Sequence, residues 1–242
     1  MKKIFPVLLL TMAAFIAHAQ TADDIINGYI KAIGGRDKIN SLHSMKMYGN
    51  VQQGGMEIPG TMYKKRPNQF EYEFTFQGKT QKQGFDGTDG WTINPFSGRE
   101  YAEKMDSDGL KEAKFQGNFD EALIDYAKKG YKVSYIGEED ADGSPAYHLA
   151  LTTQEGDVYD YFLDKDSYLI VKIKSHIKSQ DGSTQDGETN FSDYKEAGGV
   201  LMPFTVENVQ EYQGQKFSSF IKIDSVKTNV PIDDSVFKMP AK

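Results

Sequence analysis

The chain contains 242 residues, and its 28 Lys and Arg against 35 Asp and Glu give a formal net charge of −7. Nucleic acids and anionic lipid surfaces are bound by basic faces, so this excess of acid argues against both as partners. Cysteine is absent, and the protein must therefore rely on a hydrophobic core without disulfide bonds.

Residues 1–19 have the pattern of a cleaved export signal. Two lysines follow the initiating Met, an apolar stretch runs to Ile16, and a small-x-small cleavage site ends at Ala19. The stretch is too short to span a bilayer, which needs about 20 apolar residues. We therefore predict cleavage after Ala19 and a single exported domain, residues 20–242, that lies in the periplasm without a stable membrane anchor.

Apolar residues recur at helical spacing directly after this signal, in "TADDIINGYIKAIGG". Thr21 is a good N-cap, and two aspartates follow in the first turn, where the helix dipole favours acids. The pair Gly34-Gly35 ends the pattern. We predict one amphipathic helix that packs its apolar face on a sheet.

From Ser44 to Trp91 the pattern changes to an alternation with a period of two, interrupted by turn signals. Short consecutive strands with tight turns predict an antiparallel meander. One strand has an aromatic residue at every second position. These four residues, called the aromatic row below, are Phe70, Tyr72, Phe74 and Phe76. Glu71 and Glu73 alternate with them and are expected on the opposite, solvated face.

Two short helical patterns interrupt the strands, from about Ser107 to Phe115 and from Asn118 to Lys129. In the second pattern, Glu121 follows Asn118 by three residues, which is the spacing of a capping box. A helical insertion in an otherwise β-rich chain is a natural position for a lid over a binding site. We predict a short helical lid or plug there.

Alternating segments resume at Tyr131 and continue to about Asn229, with hairpin turn signals between them. The predicted fold is therefore mainly β, with an N-terminal helix and the helical insertion. A sheet of about 10–11 antiparallel strands closes, splits or curls, so we expect one strongly curved sheet, an incomplete β-barrel. The sequence leaves open whether that barrel closes.

Residues for catalysis are hard to assemble from this sequence. It has no cysteine and no Gly-x-Ser-x-Gly motif, and His43, His148 and His176 are far apart along the chain. The segment that begins at Asp140 starts like a calcium loop, but Leu151 stands where the bidentate Glu belongs. We predict no catalytic residue, no metal site and no cofactor.

The aromatic row has two interpretations. Each large side chain contributes roughly 1.5–3 kcal/mol when it is buried, so the row is either ordinary core or the wall of a site for an apolar ligand. A curved sheet with few helices leaves part of its face without a protein partner. An apolar ligand would cover that part of the sheet.

Two motifs around this strand resemble those of the periplasmic lipoprotein carrier LolA and its lipoprotein-sorting and lipid-binding relatives. They are "YKKRPNQFEYEF" and "DGTDGWTINPF", similar to the family's Lys-Arg-Pro-Asn-x-Phe segment followed by Asp-Gly-x-x-x-Trp-x-x-x-Asn-Pro-Phe. The later segments "YFLDKDSYLIVKIKS", "FSDYKEAGGVLMPF" and "NVPIDDSVFKMP" resemble the family's later strands and its terminal Asp-Ser-x-Phe signature. The resemblance covers most of the chain from Ala22 to Pro240.

This resemblance implies an incomplete barrel whose concave apolar face holds acyl chains, with helices as plug and lid. In the carrier, the arginine of the first motif contacts lid carbonyls and helps to hold the cavity shut, and Arg66 stands at that position. The aromatic residue after the motif faces the cavity, and Phe70 stands there. By alternation and neighbourhood we extend the predicted acyl-chain site to Tyr72, Phe74, Phe76 and Trp91.

We therefore predict a non-enzymatic periplasmic carrier that binds the acyl chains of lipoproteins or lipids. Its expected partners are the acylated lipoprotein or lipid cargo, an inner-membrane donor and an outer-membrane acceptor. Two alternatives remain open. The protein is a structural or protein-interaction module of the cell envelope with the aromatic row as core, or it is a hydrolase of envelope polymers with two carboxylates converging in a cleft.

Overall fold

A computed structural model describes residues 20–212 and 215–241, so the predicted signal peptide lies outside the described residues. The helices are α1 (Ala22–Ala32), α2 (Arg36–Ser41) and α3 (Ser107–Gln116), and short 3₁₀ turns lie at Pro95–Ser97 and Asp234–Val236. The strands are β1 (Ser44–Gln53), β2 (Met56–Lys65), β3 (Gln69–Phe76), β4 (Lys79–Phe85), β5 (Gly90–Asn94), β6 (Arg99–Lys104), β7 (Lys132–Ala141), β8 (Ser144–Thr152), β9 (Val158–Asp164), β10 (Ile170–Lys178), β11 (Thr184–Ala197), β12 (Val200–Tyr212) and β13 (Gln215–Thr228).

None of the helices in these two ranges is long and apolar enough to cross a membrane.

All of these strands belong to one antiparallel sheet, in the order β6-β5-β4-β3-β2-β1-β13-β12-β11-β10-β9-β8-β7. Strands that follow each other along the chain pair with each other, as in a meander, except that β6 does not pair with β7. In addition, the first strand, β1, pairs with the last, β13. Over the described residues the sheet therefore stays open between β6 and β7. The predicted fold class, a mainly β incomplete barrel with few helices, is confirmed.

The sheet is larger than expected, with thirteen strands in the described ranges instead of ten or eleven. One strand that the sequence did not reveal is β6. Ala102 is its one buried residue, and the other five are exposed. An edge strand that buries so little shows no apolar alternation, and its sequence "REYAEK" carries no signal for a strand.

Helix α1 forms where the sequence predicts it. The Thr21 hydroxyl accepts a hydrogen bond from the Asp24 N–H at 3.2 Å, and the Asp24 carboxylate accepts one from the Thr21 N–H at 3.0 Å. This reciprocal pair is a capping box. The buried residues of the helix are Ile25, Ile26, Tyr29 and Ile30. They pack in one core with inward-facing residues of β8 and β9.

The chain between the edge strands β6 and β7 has to cross from one edge of the sheet to the other. Helix α3 occupies the first part of this crossing and confirms the first of the two helical patterns. Residues 117–131, called the crossing segment below, form a series of turns, so the second predicted helix is wrong. The crossing segment nevertheless lies where a lid was expected, because its Leu123 and Ile124 pack in the same core as α1.

The core explains why the crossing segment is not a helix. Ala122, Leu123 and Ile124 are consecutive, and all three are at most 4% exposed in the core beneath α1. A helix on a surface buries one face and cannot bury three consecutive side chains equally. The predicted capping box is absent as well: Asn118 donates to the Phe115 carbonyl, and the Glu121 carboxylate accepts from the Tyr161 hydroxyl and the Ala122 N–H.

Candidate ligand-binding cavity

The register of β3 shows which face of the sheet the aromatic row occupies. Phe70 lies opposite Lys64 of β2, and Lys64 in turn lies opposite Met45 of β1. Met45 belongs to the core that α1 covers, so this is the concave face. Tyr72 and Phe74 follow at intervals of two residues and share that face.

The concave face is filled at both ends and open between them. Over β8, β9 and the start of β10, α1 and the crossing segment fill it in the main core. Over β3 and β4, a separate cluster of Phe70, Phe85 and Ala113 lies beneath α3. The strands between these two clusters include β13, β1 and β2, and their inner side chains border free space.

A cavity of about 500 Å³ occupies this gap, and we call it the concave cavity. Its volume lies within the range of about 300–1,000 Å³ that is usual for small-molecule sites. The larger part of its wall is apolar or aromatic and consists of Val51, Met62, Phe70, Tyr72, Phe74 and Ile221. The polar lining residues are Lys64, Gln81, Gln116, Asn208 and Ser219. The structure thus brings three members of the aromatic row to one cavity.

Two glycines extend this space. A smaller apolar cleft of about 50 Å³ shares Met62, Phe74 and Ile221 with the concave cavity. Gly49 and Gly60 lie directly opposite each other along it. A Cβ atom at Gly60 would overlap the Phe74 ring, so this glycine allows the ring to lie against β2.

Phe76 lies at the end of β3, outside the lining of the concave cavity. It is half-buried, and its ring centroid is 6.2 Å from that of Phe96, which is 50% exposed. The fourth member of the aromatic row therefore contacts the turn after β5. The strand is simply longer than the cavity.

Trp91 lies on the other face of the sheet. It pairs with Gly84, and Gly84 pairs with Glu71, which alternates with the aromatic row. Trp91 is 2% exposed there, and its Nε1–H donates to the Phe237 carbonyl at 2.8 Å. The grouping of Trp91 with the aromatic row is wrong, because the register places it on the convex face beneath the C-terminal residues.

Arg66 connects helix α2 with the crossing segment. Its Nε–H donates to the Leu42 carbonyl at 2.5 Å and an Nη2–H to the Ile39 carbonyl at 2.8 Å, at the end of α2. Its two Nη atoms each lie 2.6 Å from a different carboxylate oxygen of Asp120. The guanidinium also lies 4.4 Å from the centroid of the Phe119 ring. This arrangement holds the crossing segment in place, while the role of Arg66 as a lid latch stays a prediction.

Glu71 was expected in solvent, but it is 3% exposed on the convex face. Its Oε1 lies 3.5 Å from the Lys82 ammonium, and its Oε2 has no hydrogen-bond partner among the described residues. Burial raises the pKa of this carboxyl group to about 7, against the opposing effect of Lys82. Ser235, Val236 and residues 238–241 line a convex-face cavity together with Glu71.

Sequence analysis missed several cavity residues for a physical reason. Alternation along β2 could have placed Met62 and Lys64 on a common face. Their position beside the aromatic row depends on the pairing of β2 with β3. Ile221 reaches the cavity because β13 pairs with β1, a contact between distant parts of the chain that carries no local signal.

A family model described as "Uncharacterized protein" matches residues 98–241, which is more than half of the chain. No curated protein matches the sequence.

Similar solved structures cover nearly the whole chain. A protein of the DUF1329 family from Desulfovibrio piger is 14% identical with a TM-score of 0.60, covering 91% of this chain and 98% of that one. A putative outer membrane lipoprotein-sorting protein domain from Vibrio parahaemolyticus is 12% identical with a TM-score of 0.58, covering 89% and 97%. A LolA superfamily protein from Nitrosomonas europaea is 12% identical with a TM-score of 0.58, covering 91% and 98%. The resemblance to the LolA family is confirmed at the level of the fold.

Proposed function

We propose that this chain, which belongs to the family whose model matches residues 98–241 and which has a LolA-like fold, is a carrier that binds acyl chains in the concave cavity. The observation that supports this function is the cavity itself. About 500 Å³ remains free between two packed clusters, next to Phe70, Tyr72 and Phe74. A structural module with the aromatic row as plain core would have filled this space.

The energetics suit reversible binding. Each buried methylene contributes about 0.8 kcal/mol, so a chain of about 14–16 methylenes contributes at most about 11–13 kcal/mol. The cavity also exposes polar groups, among them Gln81 and Gln116. Incomplete apolar cover lowers the affinity and permits release. The carrier functions without covalent chemistry in this proposal, and Arg66 keeps the crossing segment closed until handover.

The predicted N-terminal signal and the LolA-like fold support a periplasmic setting for this carrier. Cleavage after Ala19 would deliver residues 20–242 to the periplasm as one domain. The cargo is a lipid or the acylated end of a lipoprotein, received from an inner-membrane donor and passed to an outer-membrane acceptor. The fold of a lipoprotein-sorting domain supports this assignment of partners.

Lipid extraction tests the function directly. The protein is exported in a Gram-negative host, purified from the periplasm without detergent, extracted with organic solvent and analysed by mass spectrometry. We expect co-purified acyl lipids in stoichiometric amount, and competition between these lipids and an added fluorescent fatty acid. A protein that is isolated without lipid and also ignores the added probe is not an acyl-chain carrier.

One observation favours the hydrolase alternative. Glu71 and Glu73 both line a second cavity of about 500 Å³, which lies on the convex face. The Lys82 ammonium, however, lies 2.5 Å from Glu73 and 3.5 Å from Glu71, so it contacts both carboxylates at once. A hydrolase would lose all activity on envelope polymers in a Glu71→Gln variant. A wild-type protein without such activity removes this candidate.

A further inference from the structure

Lys64 is a cation in the wall of the concave cavity. It is half-buried on the inner face of β2, two residues from Met62 and directly opposite Phe70. Burial lowers the pKa of its ammonium group to about 8. The groups of the crossing segment that act on it are Glu121 and Asp120, which favour its charged form, and Lys129, which opposes it. Their combined effect does not offset the burial.

The hydrogen bonding of Lys64 is incomplete. An ammonium group has three donors, and among the described residues Lys64 uses one, to the Asn118 carbonyl at 2.6 Å. The described residues include no carboxylate within 4.0 Å of its nitrogen, whereas Lys82, Lys111 and Lys172 each have at least one. A buried charge without a counter-ion is costly. A ligand that brings an anion into the cavity would remove that cost.

We propose that Lys64 binds the carboxylate of a long-chain fatty acid, and that the concave cavity therefore selects a single-chain acid over neutral acyl cargo. The inference rests on the proposed function and narrows its cargo to a lipid with a free carboxylate, in place of the acylated end of a lipoprotein. The acid's carboxylate accepts hydrogen bonds from the free N–H groups of Lys64, and its tail runs along Met62 and Phe74.

The dimensions of the site agree with one chain. From Lys64 to Gly60 the strand rises by about 14 Å, at about 3.4 Å per residue. Met62 stands midway, and the apolar cleft beside Gly60 continues the same path. A volume of about 500 Å³ is at the scale of one small molecule, and it sets this cavity apart from a site for several acyl chains.

Two ligands of equal chain length test the inference: palmitate, with a carboxylate, and hexadecanol, with a neutral head. Each ligand is titrated into three proteins, and binding is followed by the displacement of a fluorescent probe. The proteins are the wild type, the variant Lys64→Met and the control Lys79→Met. The Met side chain in Lys64→Met is about as long as the apolar stem of Lys but carries no charge. Lys79 is exposed at the start of β4. We expect the wild type and the control to prefer palmitate at least tenfold, in line with charged hydrogen bonds. Lys64→Met should bind both ligands equally.

The pH provides a second readout. Raising the pH above about 8 removes the proton from Lys64, so the preference of the wild type for palmitate should fall while the affinity for hexadecanol stays constant. Thermal unfolding of Lys64→Met confirms that the variant is folded, as does its unchanged affinity for hexadecanol.

The possible failures are distinguishable. If the wild type binds neither ligand, the proposed function fails and the inference fails with it. If the wild type binds both equally, or if Lys64→Met keeps the preference, the carrier function stands and the assignment of Lys64 is wrong. If hexadecyl phosphate binds more tightly than palmitate, the ligand of Lys64 is a phosphate head group, and the assignment of a fatty acid is wrong.

Discussion

Arg66 and Asp120 form a bidentate ion pair, in which two guanidinium nitrogens lie 2.6 Å from the two carboxylate oxygens. Their side chains are 25% and 19% exposed, so the pair is shielded from solvent more than an ordinary surface pair. Bidentate pairs of this kind are the strong class of charged hydrogen bonds. The pair joins the residue that follows β2 to the crossing segment.

We expect Asp120→Asn to loosen the crossing segment, because an amide cannot accept both hydrogen bonds of the guanidinium. The free energy of unfolding should fall by about 2 kcal/mol, as for hydrogen bonds to charged groups. Urea denaturation measures this loss, and hydrogen exchange should rise in residues 117–131. The control is Asp125→Asn in the same segment, which weakens the exposed pairs of Asp125 with Arg36 and Lys128 and should cost less than about 1 kcal/mol. Equal effects of the two variants would contradict the latch.

A carboxylate in the apolar part of the concave cavity's wall should weaken acyl binding. We expect Phe74→Glu to weaken the uptake of a fluorescent fatty acid at least tenfold, since a carboxylate is costly in apolar surroundings. Thr75→Glu adds the same charge to the next residue, which is exposed on the convex face, and should leave the titration unchanged. Identical titrations for the two variants would remove Phe74 from the site. Phe70 is a poorer test position, because it is 2% exposed and packs against Phe85.

Glu71 should make the protein less stable as the pH rises. The pKa of its carboxyl group is about 7 in the folded protein and near 4.5 when exposed, so the folded state binds the proton more tightly. This contribution is present below pH 4.5 and is lost between there and pH 7. Glu71→Gln removes the titration and should raise the free energy of unfolding by up to about 3 kcal/mol at pH 8, at about 1.4 kcal/mol per pKa unit.

Urea denaturation of the wild type and of Glu71→Gln at pH 4.5 and at pH 8 tests whether the substitution raises the free energy of unfolding only at the higher pH. The gain should vanish at the lower pH. Glu73→Gln is the matched control, because Glu73 is the less buried partner of Lys82, with a side chain that is 31% exposed, and this variant should give a smaller gain at pH 8 than Glu71→Gln. A gain for Glu71→Gln that is independent of pH would show that burial of the charge is not its cause.

Phe237 should hold the C-terminal residues on the convex face. It is 0% exposed, and its carbonyl accepts the hydrogen bond of the Trp91 indole. We expect Phe237→Ala to cost about 3–5 kcal/mol, as large core truncations do. The protein has a single Trp, so the emission of Trp91 should shift to the red. Met239→Ala, at a position that is 37% exposed, should not shift it. A similar emission maximum in both variants would contradict this role.

The sequence by itself determined the elements whose signals are local. The N-cap and isoleucines of α1, the alternation of β3 and the hairpin turns each depend on a few neighbouring residues. A period of two is sufficient to place Phe70, Tyr72 and Phe74 on one face, because side chains of a strand alternate whatever the strand pairs with.

Only the tertiary structure decided whether a given side chain lies on the concave or the convex face of the sheet, and which residues cover that face. The pairing of β5 with β4 places Trp91 on the convex face, and the buried Glu71 shares a cavity on that face with residues near the C-terminus. The crossing segment does not form the predicted helix, because three consecutive side chains of this segment are buried in the core. Lys64 lies beside the aromatic row because β2 pairs with β3, and Ile221 reaches the same cavity because β13 returns to pair with β1. The pairing of β1 with β13 joins residues that are far apart along the chain, so no local sequence pattern indicates it.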